Sequence, residues 1–332
     1  MKGSGLPASA SNPRSRSPGS PSTGIEKLLP EVRLIAKGFP ILSPDSRWLA
    51  APLKNGNLHI VDTRTDEWST RTVLPMPGLP QAFSRDASTV LTLVSEPMTL
   101  HRWNATAGTL LSTTRLETTN LTWQCSSATP DGNLLALASR GLIEVFETRT
   151  GRRVERVERP GYVLWIELSR DGRLLAFSAG GGCMLRDIAA HRPLWTVEGH
   201  RDRVFSVRIS PDQKMVATVS WDSNARLWDA ATGKELALLT GHKAGLLNCV
   251  FSPDGRTLAT KSDDRTIKFW NMATFREVGS IQLNYAGEVH GSFLAFSPDG
   301  QMLTAHESGN GLLRWRAPSL AEIDASEAKE KP

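Results

Sequence analysis

Cysteine is scarce in this 332-residue chain: Cys125, Cys183 and Cys249 are the whole supply, and no CxxC pair occurs. An odd count without regular spacing argues against a disulfide framework, and the missing pair removes the usual thiol-redox and zinc arrangements. What remains is a reducing compartment, hence an expected cytoplasmic location, with Cys125 and Cys249 as small apolar fillers of inner strands. No stretch reaches the roughly 18 consecutive apolar residues that a membrane-spanning helix needs. The N-terminus lacks the apolar core of a secretory signal, so no membrane contact is expected. Dense Lys/Arg blocks are missing as well. The formal charge is +5, part of it from Lys2, Arg14 and Arg16, which meet no acid before Glu26. A mildly basic, mixed-charge surface does not call for nucleic acid.

Catalytic signatures are absent too. There is no P-loop, dinucleotide fingerprint, nucleophile elbow or HExxH zinc helix. Gly180-Gly181-Gly182 falls between two strands rather than between strand and helix, which makes it a turn and not a phosphate cradle. His306 and Glu307 are adjacent, and adjacent strand residues point to opposite faces, so they do not build a shared acid–base or metal site. The chain is expected to be no enzyme, and to need neither cofactor nor metal.

What is plentiful is turns and repetition. Glycine (27) and proline (20) are frequent, while hydrophobic content is 39% and charged content 22%, a balance that suits a folded all-β protein with many tight turns. A Ser-Pro-Asp-Gly type of turn followed by an apolar strand recurs. It stands at Ser43-Pro44-Asp45, Ser84-Arg85-Asp86, Thr129-Pro130-Asp131, Ser169-Arg170-Asp171, Ser210-Pro211-Asp212, Ser252-Pro253-Asp254 and Ser297-Pro298-Asp299, with 40 to 45 residues from one Asp to the next. A second marker keeps step 15 to 17 residues later: Val61, Trp103, Phe146, Arg186, Trp228, Trp270 and Trp315, usually followed by an acid or amide. Each unit reads as four short strands; in the fifth they are 204–209, 215–219, 225–228 and 236–239. One such sheet cannot bury both faces alone, whereas sheets stacked in a closed ring can.

These residues resemble the WD40-repeat family over roughly 25–325. The resemblance implies an all-β, seven-bladed β-propeller with four-stranded antiparallel blades, spanning 24–325. A Ser/Pro/Gly-rich segment, 1–23, reads as a disordered tail, and 326–332 as a charged C-terminal end. Ring closure is expected from a strand near 25–29 pairing with the last blade; a local strand near 320–323 is the alternative. In the family a blade can hold a hydrogen-bonded tetrad of His, Ser/Thr, Asp and Trp. The matching positions are His200, Thr218, Asp222 and Trp228 in unit five, and His242, Thr260, Asp264 and Trp270 in unit six. The remaining units depart from it, with Asn55, Pro97, Arg140, Gly180 and Gly309 at the aspartate position.

The resemblance further implies a non-catalytic scaffold that holds a protein or peptide on the propeller's top face. Matching positions are Tyr162, Arg203 and His290 at first-strand starts, Arg201 and Lys243 two residues ahead of such starts, and Trp221 and Asp263 just before the tetrad aspartates. Exposed Trp beside Arg is the composition of a binding hot spot. Two other readings stay open: a nucleic-acid-binding propeller, which needs cations gathered on one face, and an enzyme with a site in the central channel, which needs carboxylates or histidines on the innermost strands.

Overall fold

The computed structural model describes residues 26–28, 40–45, 47–52, 57–63, 70–75, 78–118, 123–139, 141–158, 163–283, 293–307 and 311–316. Among them are 28 strands and no helix. The strands form seven four-stranded antiparallel sheets. Blades one to six run 41–74, 79–115, 125–158, 166–198, 204–239 and 246–282, each with its strands in sequence order from inner to outer. Blade seven is different. Its inner three strands are Leu294–Phe296, Met302–Glu307 and Gly311–Arg316, and its outer strand is Glu26–Leu28, paired antiparallel to Gly311–Arg316. The N-terminal closure expected from the sequence is thus the one observed, one residue shorter at each end; residues 320–323 lie outside the described residues.

The repeated turn is built by side chains. In all seven blades the Ser or Thr hydroxyl donates to the Asp two residues on, at 2.5–2.7 Å. The same hydroxyl oxygen accepts the backbone N–H five residues on, at 2.8–3.0 Å. The carboxylate accepts the N–H two residues beyond itself, at 3.0–3.1 Å. These are the local side-chain-to-backbone bonds that make Ser, Thr and Asp turn formers. The residue after Asp adopts positive φ: Gly at 132, 172, 255 and 300, but Ala87 (56°) and Gln213 (58°) in blades two and five. In blade two the Ser84 hydroxyl and Ser88 hold the Asp86 carboxyl down to about 2.

The second marker has an equally definite place. In every blade it pairs across to the residue four positions after the turn Asp: Leu49↔Val61, Val90↔Trp103, Leu135↔Phe146, Leu175↔Arg186, Val216↔Trp228, Leu258↔Trp270 and Leu303↔Trp315. In blades one to six the register against the outer strand also shifts at this residue. A bulge adds local twist and bends the strand, so one large residue per blade marks where the sheet turns.

The core is divided among the blade junctions. Separate buried clusters join blades one to two, two to three, three to four, four to five, five to six and six to seven. Phe146, Phe177, Leu135 and Ile143 are among the largest fully buried side chains. Polar ties reinforce the junctions: Thr72 Oγ1 donates to the Thr106 carbonyl at 3.0 Å, and the Trp195 indole to the Ala230 carbonyl at 2.8 Å. All seven inner strands face a central cavity of about 670 Å³. The Ser-x-Asp turns lie at its bottom mouth, where Pro44, Pro130, Pro211, Pro253 and Pro298 line it. Among the described residues, the segments that enter blades five and six, 199–203 and 240–245, and the turns between second and third strands of blades two, five and six lie at the opposite, top end.

Candidate top-face site and its tetrad supports

Blades five and six each bring four distant residues together. His200 Nδ1 lies 2.9 Å from Asp222 Oδ2 and His200 Nε2 lies 2.8 Å from Thr218 Oγ1, while the Trp228 indole donates to the same hydroxyl oxygen at 2.9 Å. In blade six the corresponding distances are 2.8 Å to Asp264, 2.8 Å to Thr260 and 2.9 Å from Trp270. The donor inventory fixes the proton positions. An indole only donates and a carboxylate only accepts, so Nδ1 carries the imidazole proton and Nε2 accepts the threonine hydroxyl. Every polar group in the chain of bonds is satisfied inside the sheet. Burial lowers both imidazole pKa values below the ordinary 6.5, against the opposing pull of the aspartate hydrogen bonds and charge. Burial pushes the Asp222 and Asp264 carboxyls up, but hydrogen bonds from backbone N–H groups and the histidines outweigh it, and both sit below 3.8.

Elsewhere the same positions are filled differently. Blade two keeps half of the arrangement, since Trp103 donates to Thr92 at 3.1 Å with Pro97 in the aspartate place. Pro97 at the aspartate place hides this pair in the sequence; the threonine two residues after Val90 is its signal. In blade seven Ala305 stands where the threonine belongs, and the buried Trp315 indole N–H has no hydrogen-bond partner among the described residues. Blade three substitutes Leu137 and Phe146, both fully buried. In blade four Arg186 takes the Trp position and forms an ion pair at 3.4 Å with buried Glu155 of blade three, which also meets His191 Nδ1 at 3.0 Å. The Gly180 run is the turn expected from the sequence. Gly181 and Gly180 carbonyls accept the N–H groups of His200 (3.0 Å) and Val204 (2.9 Å), and a Cβ on Gly181 would lie 2.7 Å from the His200 carbonyl oxygen. The glycines let the strand entering blade five pack against this turn.

The tetrads also position the top face. Asp222 Oδ2 accepts the Arg201 N–H at 3.0 Å, and Asp264 Oδ2 accepts the Lys243 N–H at 2.8 Å. Trp221, just ahead of Asp222, is 44% exposed. Its N–H donates to the Arg203 carbonyl at 3.3 Å, and the Arg203 guanidinium lies 5.3 Å from its ring centroid. Trp221 also stacks on Phe205, centroids 6.0 Å apart and planes 17° inclined. Phe205 sits at the register shift between Val204 and Ser206. Gly245 completes the nook, since a Cβ there would come within 3.2 Å of Trp221 Cα. Of the sequence-derived surface residues, Arg201, Arg203, Trp221, Lys243 and Asp263 lie exposed on the top of blades five and six. Tyr162 and His290 lie outside the described residues. Burial pushes the Asp263 carboxyl up, opposed by the charge of Lys261.

The channel is less polar. Arg208 donates to Glu167 at 3.0 Å, to the Cys249 carbonyl at 2.9 Å and to Asn248 Oδ1 at 3.3 Å, and its guanidinium lies 4.7 Å from the Trp165 centroid. Burial pushes the Glu167 carboxyl up, with Arg208 opposing it. The three thiols are free. Burial drives the pKa of Cys125 and Cys249 to about 12 and raises that of Cys183, leaving them as protonated fillers. Among the described residues no three His, Cys, Asp or Glu side chains gather as a metal site.

Comparison with known proteins places two stretches, 191–229 and 233–271, in the WD domain, G-beta repeat family. Each match runs from the outer strand of one blade through the third strand of the next, so successive sequence repeats are stitched across blade boundaries. The guanine nucleotide-binding protein subunit beta of Schizosaccharomyces pombe is 26% identical over 95 residues, 28% of this chain and 31% of that protein. Its counterpart in Saccharomyces cerevisiae is 37% identical over 67 residues, 20% of this chain and 16% of that protein. The match spans less than a third of the length of either relative. The family repeat is thus matched in two consecutive units, and the strand plan of those units is carried through seven blades.

Proposed function

We propose that the protein is a non-catalytic scaffold that holds a protein partner on the top face of blades five and six. The observation that carries this reading is Trp221. A side chain this large and apolar is half in water, yet its ring is held by Phe205, Gly245 and Arg203 rather than free to collapse. An anchor fixed before binding loses little entropy when a partner covers it, and Trp with Arg is the commonest hot-spot composition. The tetrads beneath supply the rigidity. They lock the backbone of both adjoining loops through Asp222 and Asp264.

The test is affinity capture with mass spectrometry, comparing the intact chain with Trp221→Ala/Arg203→Ala. Both side chains are exposed, so the variant folds, as circular dichroism and a urea midpoint will verify. Proteins retained by the intact chain and lost by the folded variant support the reading. Identical captures by the two would move the partner to another surface.

A further inference from the structure

Charge on the top face is uneven. Among its described residues, blades five and six expose Arg201, Arg203, Lys243 and Arg265 against Asp202 and Asp263. Across the ring, the turn between the second and third strands of blade two exposes Glu96. Arg201 and Lys243 occupy equivalent places, one residue after the tetrad histidines. The backbone N–H of each is pinned by a tetrad carboxylate, and among the described residues no ion pair engages either side chain. Trp221 links the two loops, bonding to the Arg203 carbonyl on one side and lying against Gly245 on the other. Cations on two pinned loops therefore flank an exposed indole, with the Arg203 guanidinium over its ring and 3.9 Å from the Asp202 carboxylate.

We propose that this surface takes an acidic, extended peptide segment, whose carboxylates meet Arg201, Arg203 and Lys243 while an apolar side chain lies on Trp221. Unlike charges across an interface steer encounter and set register, and like charges reject the wrong partner. Nucleic acid carries a continuous row of phosphates, which Asp202 and Asp263 would oppose; a peptide can space its carboxylates around them. The proposal rests on the top-face reading above and adds the chemistry of the partner.

The experiment is fluorescence anisotropy of the full chain with three fluorescein-labelled decapeptide pools. They alternate randomised apolar residues with Glu, with Ser or with Lys. A labelled single-stranded oligonucleotide matched in charge to the Glu pool is the fourth probe. The Glu pool is expected to bind about tenfold more tightly than the Ser pool. Arg201→Glu/Lys243→Glu and Trp221→Ala should each weaken it by about tenfold, while Arg192→Glu/Arg276→Glu, on exposed outer-strand sites, should leave it within about twofold. The proposal is overturned if the Glu pool binds no better than the others, if both double variants weaken it equally, or if the oligonucleotide binds more tightly. Trp221-dependent binding of the Ser or Lys pool as tight as that of the Glu pool would sink the acidic partner, yet it would leave the top-face reading intact. That reading fails separately, on captures that do not depend on Trp221.

Discussion

The Trp103 indole donates to the Thr92 hydroxyl at 3.1 Å in a blade that has a proline where the tetrad aspartate belongs. The Trp–Thr bond is therefore separable from the His–Asp bond, and the two blade types predict different costs for losing one hydroxyl. Thr218→Val strands both the Trp228 N–H and His200 Nε2, and should destabilise by about 2–4 kcal/mol. Thr92→Val strands the Trp103 N–H in a blade that has Pro75 at the tetrad-histidine place, and should cost about 1–3 kcal/mol. Urea unfolding of the two variants checks the order; equal losses would mean that the histidine bond contributes nothing.

Acid should weaken the fold in two stages. His200 and His242 have folded pKa values lowered from 6.5 by burial, so the unfolded chain binds protons first. Their contribution is complete above 6.5 and declines as pH falls from there toward the lowered folded values. Asp222 and Asp264, also lowered, add a second loss below 3.8. The urea midpoint should drop between pH 7.5 and 5.5, and His200→Gln/His242→Gln should flatten that drop. An unchanged slope in the double variant would assign the effect elsewhere.

Closure of the ring should be the weakest seam. Arg314 Nη1 of blade seven donates to the Thr63 carbonyl of blade one at 2.7 Å, and Glu26–Leu28 completes blade seven by strand pairing. Removing residues 1–29 leaves Gly311–Arg316 as an open edge, which invites intermolecular pairing. The truncated chain should show faster amide exchange in blades one and seven than in blade five, and should aggregate at lower temperature. Arg314→Ala should raise exchange at the same two blades without aggregation.

Gly255 offers a test of the repeated turn. Its φ is +71°, and a Cβ would meet only Pro211 Cδ, at an ordinary 3.7 Å. Gly255→Ala therefore adds backbone strain without a clash, and should cost about 1–2 kcal/mol in chemical denaturation. Gly172→Ala should cost more, because its Cβ would also press Leu134 Cδ1 at 2.6 Å.

The blade count was legible because each marker is local. Ser43 to Asp45 and its six successors close their own turns within a few residues, and those bonds need nothing from the rest of the ring. The tetrads were legible only where all four residue types persist, as at His200 and His242; in blade two, with Thr92 and Trp103 alone, half a tetrad was overlooked. The Glu155, Arg186 and His191 cluster joins two blades, and no spacing within one repeat encodes it. Phe205 was missed for a different reason. Alternation assigns it a face, but the shifted register at Val204 and Ser206 re-aims it toward Trp221. Bulges break the period that sequence reading depends on.

The strand that completes blade seven is the first of the 28 to be synthesised. Its pairing partners, Leu312 to Arg314, belong to the last of the 28 to leave the ribosome. At roughly 5–20 residues per second, Glu26–Leu28 waits on the order of 15–60 s unpaired while the six intact blades fold behind it. For that interval the nascent chain is an open arc with a free strand at one end. The ring becomes a ring only after blade seven has emerged, so a chain that stops short of it yields correct blades that never close.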